Sequence, residues 1–325
     1  MCPLFGVLVS YHGNGVIGGW IQNITIRNNN SITRGGNLIA WGLLENSIIE
    51  NNESPHASGV ELDRGSAIIA NSIIRNNITT QQGGGGIYID DESAAIILGS
   101  TIDNNTILAE QNGAGIYTES PIMIRSSTIS GNAGANAGGG IYSESVVDIS
   151  NSTISDNSAI NGGGFYVLTG TLSLDYSTIT NNQAAEQGGG IFNADATTIN
   201  GSIIAGNSAG GAISNSTADC LAPSPLTFAG YSIFGEGTGC GKNGRFDQTI
   251  SPATVFTNLL HPLADNDGST NTHATKLGSL AINAGNDDHC PSTDQRGILR
   301  PQANRCDIGA FEKEVQFVYL PIITK

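Results

Sequence analysis

Short alternations of apolar and polar residues recur along this chain, three to five positions at a time, and no alternation lengthens into a helical pattern. The clearest is a heptamer. It appears as Asn46 to Asn52 (NSIIENN), Asn71 to Asn77 (NSIIRNN), Gly99 to Asn105 (GSTIDNN), Ser126 to Asn132 (SSTISGN) and Asn151 to Asn157 (NSTISDN). It continues as Tyr176 to Asn182 (YSTITNN) and Gly201 to Asn207 (GSIIAGN), with an earlier copy at Asn23 to Asn29 and a decayed one at Tyr231 to Gly237. Glycine-rich pentamers keep the same spacing of about 25 residues: 84–88, 113–117, 138–142, 162–166 and 188–192. Between the two lies a third apolar run, such as Val146 to Ile149 or Thr171 to Leu174. β-Branched residues dominate all three, and Gly, Asn, Ser and Ala punctuate them.

A unit of three short strands cannot bury its own apolar face, but units stacked on one another can, each backbone pairing with the coil above and below. The pattern therefore predicts an all-β fold, a right-handed single-stranded parallel β-helix. At ~4.8 Å per layer, eight coils make a rod on the order of 40 Å long. The chain divides into repeats over 1–237, irregular terminal coils and a disulfide-bonded C-terminal cap over 238–312, and a tail over 313–325.

The two-residue period of a strand assigns faces. Ile26, Ile49, Ile74, Ile102, Ile129, Ile154, Ile179 and Ile204 form one inward column, with Ser127 on the same side as Ile129. The closing Asn52, Asn77, Asn105, Asn132, Asn157, Asn182 and Asn207 predict a structural ladder at a turn, each amide bonding its own turn and its neighbour. The Gly triplets fit a tight corner. A phosphate-binding loop is a poor alternative, because neither a helix nor a Lys follows them.

Two outward columns carry candidate chemistry. Tyr88, Tyr117, Tyr142, Tyr166 and Phe192 follow the Gly triplets, and Asp90, Glu119 and Glu144 lie two residues further on the same face. Such a stripe can stack sugars or bridge Ca²⁺ between carboxylates, or it can simply stiffen the sheet by cross-strand stacking. The second column, Thr101, Thr128, Thr153 and Thr178 flanked by Asp103, Ser130, Ser155 and Thr180, resembles the flat Thr arrays of ice-binding solenoids. Thr is also simply a good strand residue.

Charge narrows the functions further. Thirteen basic against 28 acidic residues give −15, which argues against nucleic acid as a partner. No window is apolar enough for a transmembrane helix. Many β-helices process polysaccharides, yet residues 1–237 hold five Arg, no Lys and 19 acids. A proton-abstracting base is missing there, and the rod would repel an acidic polymer. For a glycosidase pair, Asp90 and Asp91 are adjacent on a strand and point to opposite faces. His12, His56, His261, His273 and His289 are scattered, and no GxSxG is present. The reading is a non-catalytic stalk, adhesin or matrix protein with no cofactor. The alternative is carbohydrate binding or processing along the Tyr/acid stripe. Glycans or surface components are the expected partners, and an uncapped first coil predicts end-to-end self-association.

The region 262–312 is the most specific part of the chain. Its Asp294-Gln295-Arg296-Gly297, Arg300-Pro301 and Cys306-Asp307-Ile308-Gly309-Ala310-Phe311-Glu312 resemble the C-terminal module of bacterial choice-of-anchor Q domain proteins. Asp267, Leu280 and Asn283 depart from that pattern. The coils resemble the repeats that precede this module, and more loosely those of polymorphic outer membrane proteins, and residues 318–323 (VYLPII) resemble tails of exported Chloroflexi-type proteins. The resemblance implies secretion and surface display and no catalytic activity. His273, in the THA motif, is read as structural.

Cys220 with Cys240, and Cys290 with Cys306, close short loops where the core is thinnest, as suits an oxidising compartment. A metal site is the alternative, although no CxxC is present. Cys2 is left over. Residues 1–10 make a poor signal peptide, so the N-terminus is expected to be truncated from a longer exported chain.

Overall fold

The computed structural model describes residues 8–9, 16–31, 38–108, 111–222, 226–240 and 244–314. Cys2, His12 and the 315–325 part of the tail lie outside them.

Among the described residues the strands form four parallel sheets, of eleven, sixteen, three and four strands. One coil shows the plan. Ile141–Ser143 and Val147–Ser150 belong to the large sheet, Thr153–Ser155 to the eleven-stranded sheet and Ser158–Asn161 to the four-stranded one. Each pairs in register with its counterpart one coil away, as Ile129 with Ile154 and Ile154 with Ile179. The fold is the expected solenoid. The eleven-stranded sheet runs past residue 237 to Gln248–Ile250.

The fourth strand corrects the three-run reading of the sequence. Segments such as Gln183–Gln187 are polar and carry one inward Ala184. Nothing in their hydrophobicity marks a strand. They are extended because the backbone pairs with the coils on both sides.

Burial follows the predicted faces. Ile49, Ile74, Ile102, Ile129, Ile154, Ile179 and Ile204 are fully buried, in one cluster with the inward residues of the large sheet. Within the Gly triplets, Gly138 has φ +68°, and a Cβ on Gly140 would lie 2.6 Å from the Gly164 carbonyl. The first glycine thus makes the corner and the third lets coils approach.

Two hydrogen-bonded ladders run the length of the rod at its corners. Asn132 Nδ2 donates to Ile102 O at 3.0 Å and to Asn157 Oδ1 at 2.9 Å, and its own Oδ1 accepts from the backbone and side chain of Asn105. The pattern repeats from Asn52 to Asn207. A serine ladder at the preceding corner was not foreseen as one. The backbone N–H of Ser127 donates to Ser152 Oγ, that of Ser152 to Ser177 Oγ, and that of Ser177 to Ser202 Oγ. Each ladder ends on a carboxylate. Asn207 donates to Asp219 Oδ1 at 2.8 Å, and the Ser232 N–H donates to Asp247 Oδ1 at 3.0 Å. An ionised carboxylate only accepts, which suits it to close a chain of donors.

Residues 252–314 contain few regular elements. They lie along the flank of the coils, against the outer surface of the eleven-stranded sheet. Both expected disulfides form, Cys220–Cys240 and Cys290–Cys306.

Candidate functional site

The outward tyrosines form a continuous stack. Ring centroids of Tyr88, Tyr117, Tyr142, Tyr166 and Phe192 follow one another at 5.2, 5.0, 5.6 and 4.4 Å, with interplanar angles of 9–17°. His56 closes one end, edge-on to Tyr88 at 4.7 Å, with its Nδ1 3.5 Å from Glu61. Parallel in-register strands place identical side chains about one layer apart, so the rings must stack or splay. Stacking covers both faces of each inner ring, and Tyr142 is buried.

The acids of the stripe meet the phenols. Tyr88 Oη donates to Glu119 at 3.2 Å, and Glu144 accepts from Tyr117 at 3.2 Å and from Tyr142 at 3.1 Å. Burial, reinforced by these carboxylates, pushes all three phenols far above their ordinary range. They stay protonated and donate. Asp90 is turned elsewhere: it accepts from the Arg64 N–H at 3.0 Å and from the Ser93 hydroxyl. The structure therefore brings Tyr88, Tyr117, Tyr142, Glu119 and Glu144 together, with Tyr166 in the stack and Asp90 beside it. What the stripe presents outward is ring edges and carboxylates.

The threonine column is not open beyond Thr101, which is half-buried. Thr128, Thr153 and Thr178 are at most 1% exposed, because residues 270–310 lie on them. This corrects the ice-binding comparison, which needs a solvent-facing array. Gln295 sits between two coils. Its Nε2 donates to Thr128 Oγ1 at 2.9 Å and to Thr270 Oγ1 at 2.9 Å, and its Oε1 accepts from Thr153 Oγ1 at 2.6 Å. The Ala310 N–H donates to Thr178 Oγ1 at 3.1 Å. His273 is buried between His261 O at 2.8 Å and Ser155 Oγ at 2.9 Å, and burial lowers its pKa. Tyr176 Oη donates to Asn286 O and accepts from Asn286 N, both at 2.8 Å.

The most specific sequence motif is thus a structural network. Asp294, fully buried, accepts from the N–H groups of Arg296, Ile298 and Glu312 at 2.8–3.0 Å. Arg296 lies over the Phe311 ring at 3.8 Å and donates to Glu312 O at 2.7 Å. Arg300 donates to Asp307 O and Gly309 O, both at 2.7 Å, with Glu312 at 3.5 Å. Glu312 accepts from the N–H groups of Gln302 and Asp307. Every named motif element folds the segment or fixes it to the coils.

Among the described residues, no group of three or more His, Cys, Asp or Glu side chains converges closely enough to hold a metal ion. No helix among them is long and apolar enough to cross a membrane. The sequence reading passed over one place, a polar cleft of about 600 Å³ where residues 289–293 stand off from the large sheet. Its floor, including Asp148, Asp175 and Asn200, is assembled from strands of three successive coils, and only their register could have revealed it.

No curated protein and no solved structure matches the chain. A family model described as a right-handed β-helix region matches residues 21–224. With well over half of its length matched, and with these in-register coils, the chain belongs to the right-handed β-helix family.

Proposed function

We propose that the protein is a non-catalytic, extracellular or cell-surface rod that serves as a stalk, adhesin or matrix component. The observation that carries this reading is that repeated polar columns are spent on the fold: the asparagines and serines on ladders, the threonines on the docked segment, the tyrosine faces on one another. The two disulfides suit an oxidising compartment, and the resemblance of 262–312 to the choice-of-anchor Q module supports secretion and display. The test is to incubate the purified chain with neutral and acidic polysaccharides and assay reducing ends and unsaturated products. No turnover is expected, and release of product from any of them overturns the reading.

The alternative keeps the stripe of Tyr88, Tyr117, Tyr142 and Tyr166 with Asp90, Glu119 and Glu144 as a carbohydrate surface. Its support is a regular row of hydroxyls and carboxylates. Against it stands the loss of ring faces, on which sugar stacking depends. Saturable glycan binding abolished by Tyr117→Ala and Tyr142→Ala would favour it.

A further inference from the structure

We infer that residues 315–325, which lie outside the described residues, dock along an apolar groove on the outer surface of the large sheet, walled by Trp20, Leu43, Ile68 and Ile96. This goes beyond the rod reading, which stands with or without a docked tail.

The groove comes from one outward column. Register aligns Trp20, Leu43, Ile68, Ile96 and Met123 in successive coils, followed by Asp148, Ser173 and Thr198. The first five are apolar and the last three polar. The core does not demand the change, because the inward residues are apolar throughout. Residues 289–293 stand beside the polar half. The apolar half encloses a groove of about 770 Å³, lined among the described residues by the coils alone. Trp20 is 57% and Ile68 39% exposed there. Contiguous apolar surface of this kind, spread over several coils, marks a place where something docks.

The chain itself supplies the occupant, because its last described residues run along the flank toward these coils. The Gly309 N–H donates to Gly201 O at 2.8 Å, and the Ala310 N–H donates to Thr178 Oγ1, one coil nearer the groove. Glu312 N–H then donates to Asp294, and Glu314 accepts from Arg296 Nη1 at 3.2 Å. The same Nη1 donates to Asn266 O. Just beyond Asn266, Ser269 meets the coils: a Cβ on Gly99 would lie 3.6 Å from its Oγ. Gly99 directly follows Ala94–Leu98, the strand that carries Ile96. The described chain thus ends within a few side chains of the groove.

Composition and length fit the groove. No residue between Glu314 and Lys325 is charged, and eight of those ten (VQFVYLPIIT) are apolar. Eleven extended residues reach about 36 Å, whereas Trp20 to Ile96 spans three layers, on the order of 14 Å. Pro321 has no N–H to give a ladder, which suits a segment lying on a sheet face better than one prolonging the sheet at its end. A second rod is the poorer occupant. Laid along the same column, it would also cover the exposed charges of Arg125 and Asp148, at a desolvation cost that a short segment avoids.

The test uses the full chain carrying Trp41→Phe, which leaves Trp20 as its single tryptophan. Blue-shifted Trp20 emission, poorly quenched by acrylamide, is expected. Phe317→Asp with Leu320→Asp in the tail, or Ile68→Asp in the groove, should each shift the emission to the red and restore quenching, and melting curves check the fold of each variant. In a second measurement a benzophenone side chain replaces Leu320 and is photolysed. Cross-links are expected to Leu38–Glu45, Ser66–Ala70 and Ala94–Leu98. The inference is overturned if the tail substitutions leave Trp20 emission and quenching unchanged, or if the cross-links fall only outside those strands. It is also overturned if shielding of Trp20 grows with protein concentration, which would give the groove to a second copy. None of these outcomes bears on polysaccharide turnover, so failure here leaves the test of the rod reading separate.

Discussion

Asn132 in the coils meets Asn105 on one side and Asn157 on the other. Arg300 in the flanking segment meets two backbone carbonyls, Glu312 and the face of Tyr176. In the ladders of the coils each buried Asn or Ser pairs with a copy of itself one layer away. The satisfaction of one coil therefore guarantees that of the next, and the structure propagates from nearest-neighbour contacts. In the segment the partnerships described are between unlike groups, some close in sequence and some on the coils, and nothing propagates. A repeat tolerates variation in period, because the pairing rule survives it. Low sequence complexity and high motif specificity are two solutions to the same requirement, that buried polar groups find partners.

The sharpest way to break this comparison is at Arg300. Its side chain is fully buried, and Arg300→Leu takes the guanidinium donor from the Asp307 and Gly309 carbonyls and the counter-charge from Glu312. Removing one member of a buried ion pair costs about 3–5 kcal/mol. The expected result is release of residues 262–312, seen as new protease cleavage sites there, while hydrogen exchange in the coils from 60 to 150 stays slow. Equal loss of protection in coils and segment would show that they fold as one unit and that the contrast is only one of appearance.

Asn132→Ala strikes the other half. It strands the Ile102 carbonyl and both Asn105 donors, at about 1–3 kcal/mol for each unsatisfied group, and the expected cost is about 3 kcal/mol. Protection should fall first at 100–160 and spread along the rod, with the Cys290–Cys306 region following only where it rests on Thr128 and Thr153. Loss confined to the mutated coil would refute propagation between neighbours.

How much of this was legible in the sequence follows from the same contrast. The isoleucine column, the Asn ladder and the stacked tyrosines were readable because repetition shows alignment directly, and strand periodicity fixes the face. The fourth strand at Gln183–Gln187 was not readable, since its conformation is imposed by neighbouring backbone. Nor was burial of Thr128, Thr153 and Thr178: the strand pattern correctly turned them away from the core, but what covers them is a segment some 140 residues later. The cleft was hidden for the same reason. Contacts between unlike, distant residues leave no period. Asp219, ending a ladder of asparagines, shows the boundary case. Its role is visible only once the ladder is known to need a terminal acceptor.

That terminal carboxylate supplies the smallest and most specific way to sharpen the comparison. Asp219 is fully buried. Burial pushes its pKa up to about 6 from an ordinary 3.8, partly opposed by hydrogen bonds from Thr238 and Asn207. A carboxyl whose folded pKa is raised favours the folded state in its protonated form. That contribution is complete below about pH 4 and is lost as pH rises through about 6. Two pKa units correspond to about 2–3 kcal/mol. Asp307 and Glu312 shift the same way through burial, while His273, its pKa lowered, loses stability as pH falls. The slope of the whole protein is therefore a mixture, and the difference between parent and Asp219→Asn isolates one group. Asparagine keeps an acceptor for Asn207 and cannot ionise. Its variant should be more stable than the parent at pH 7.5, by about 2 kcal/mol in urea melts, with the advantage gone at pH 4. An advantage that does not change with pH would mean that Asp219 ends the ladder as an ordinary hydrogen-bond acceptor, with its charge already paid for by Thr238 and Asn207.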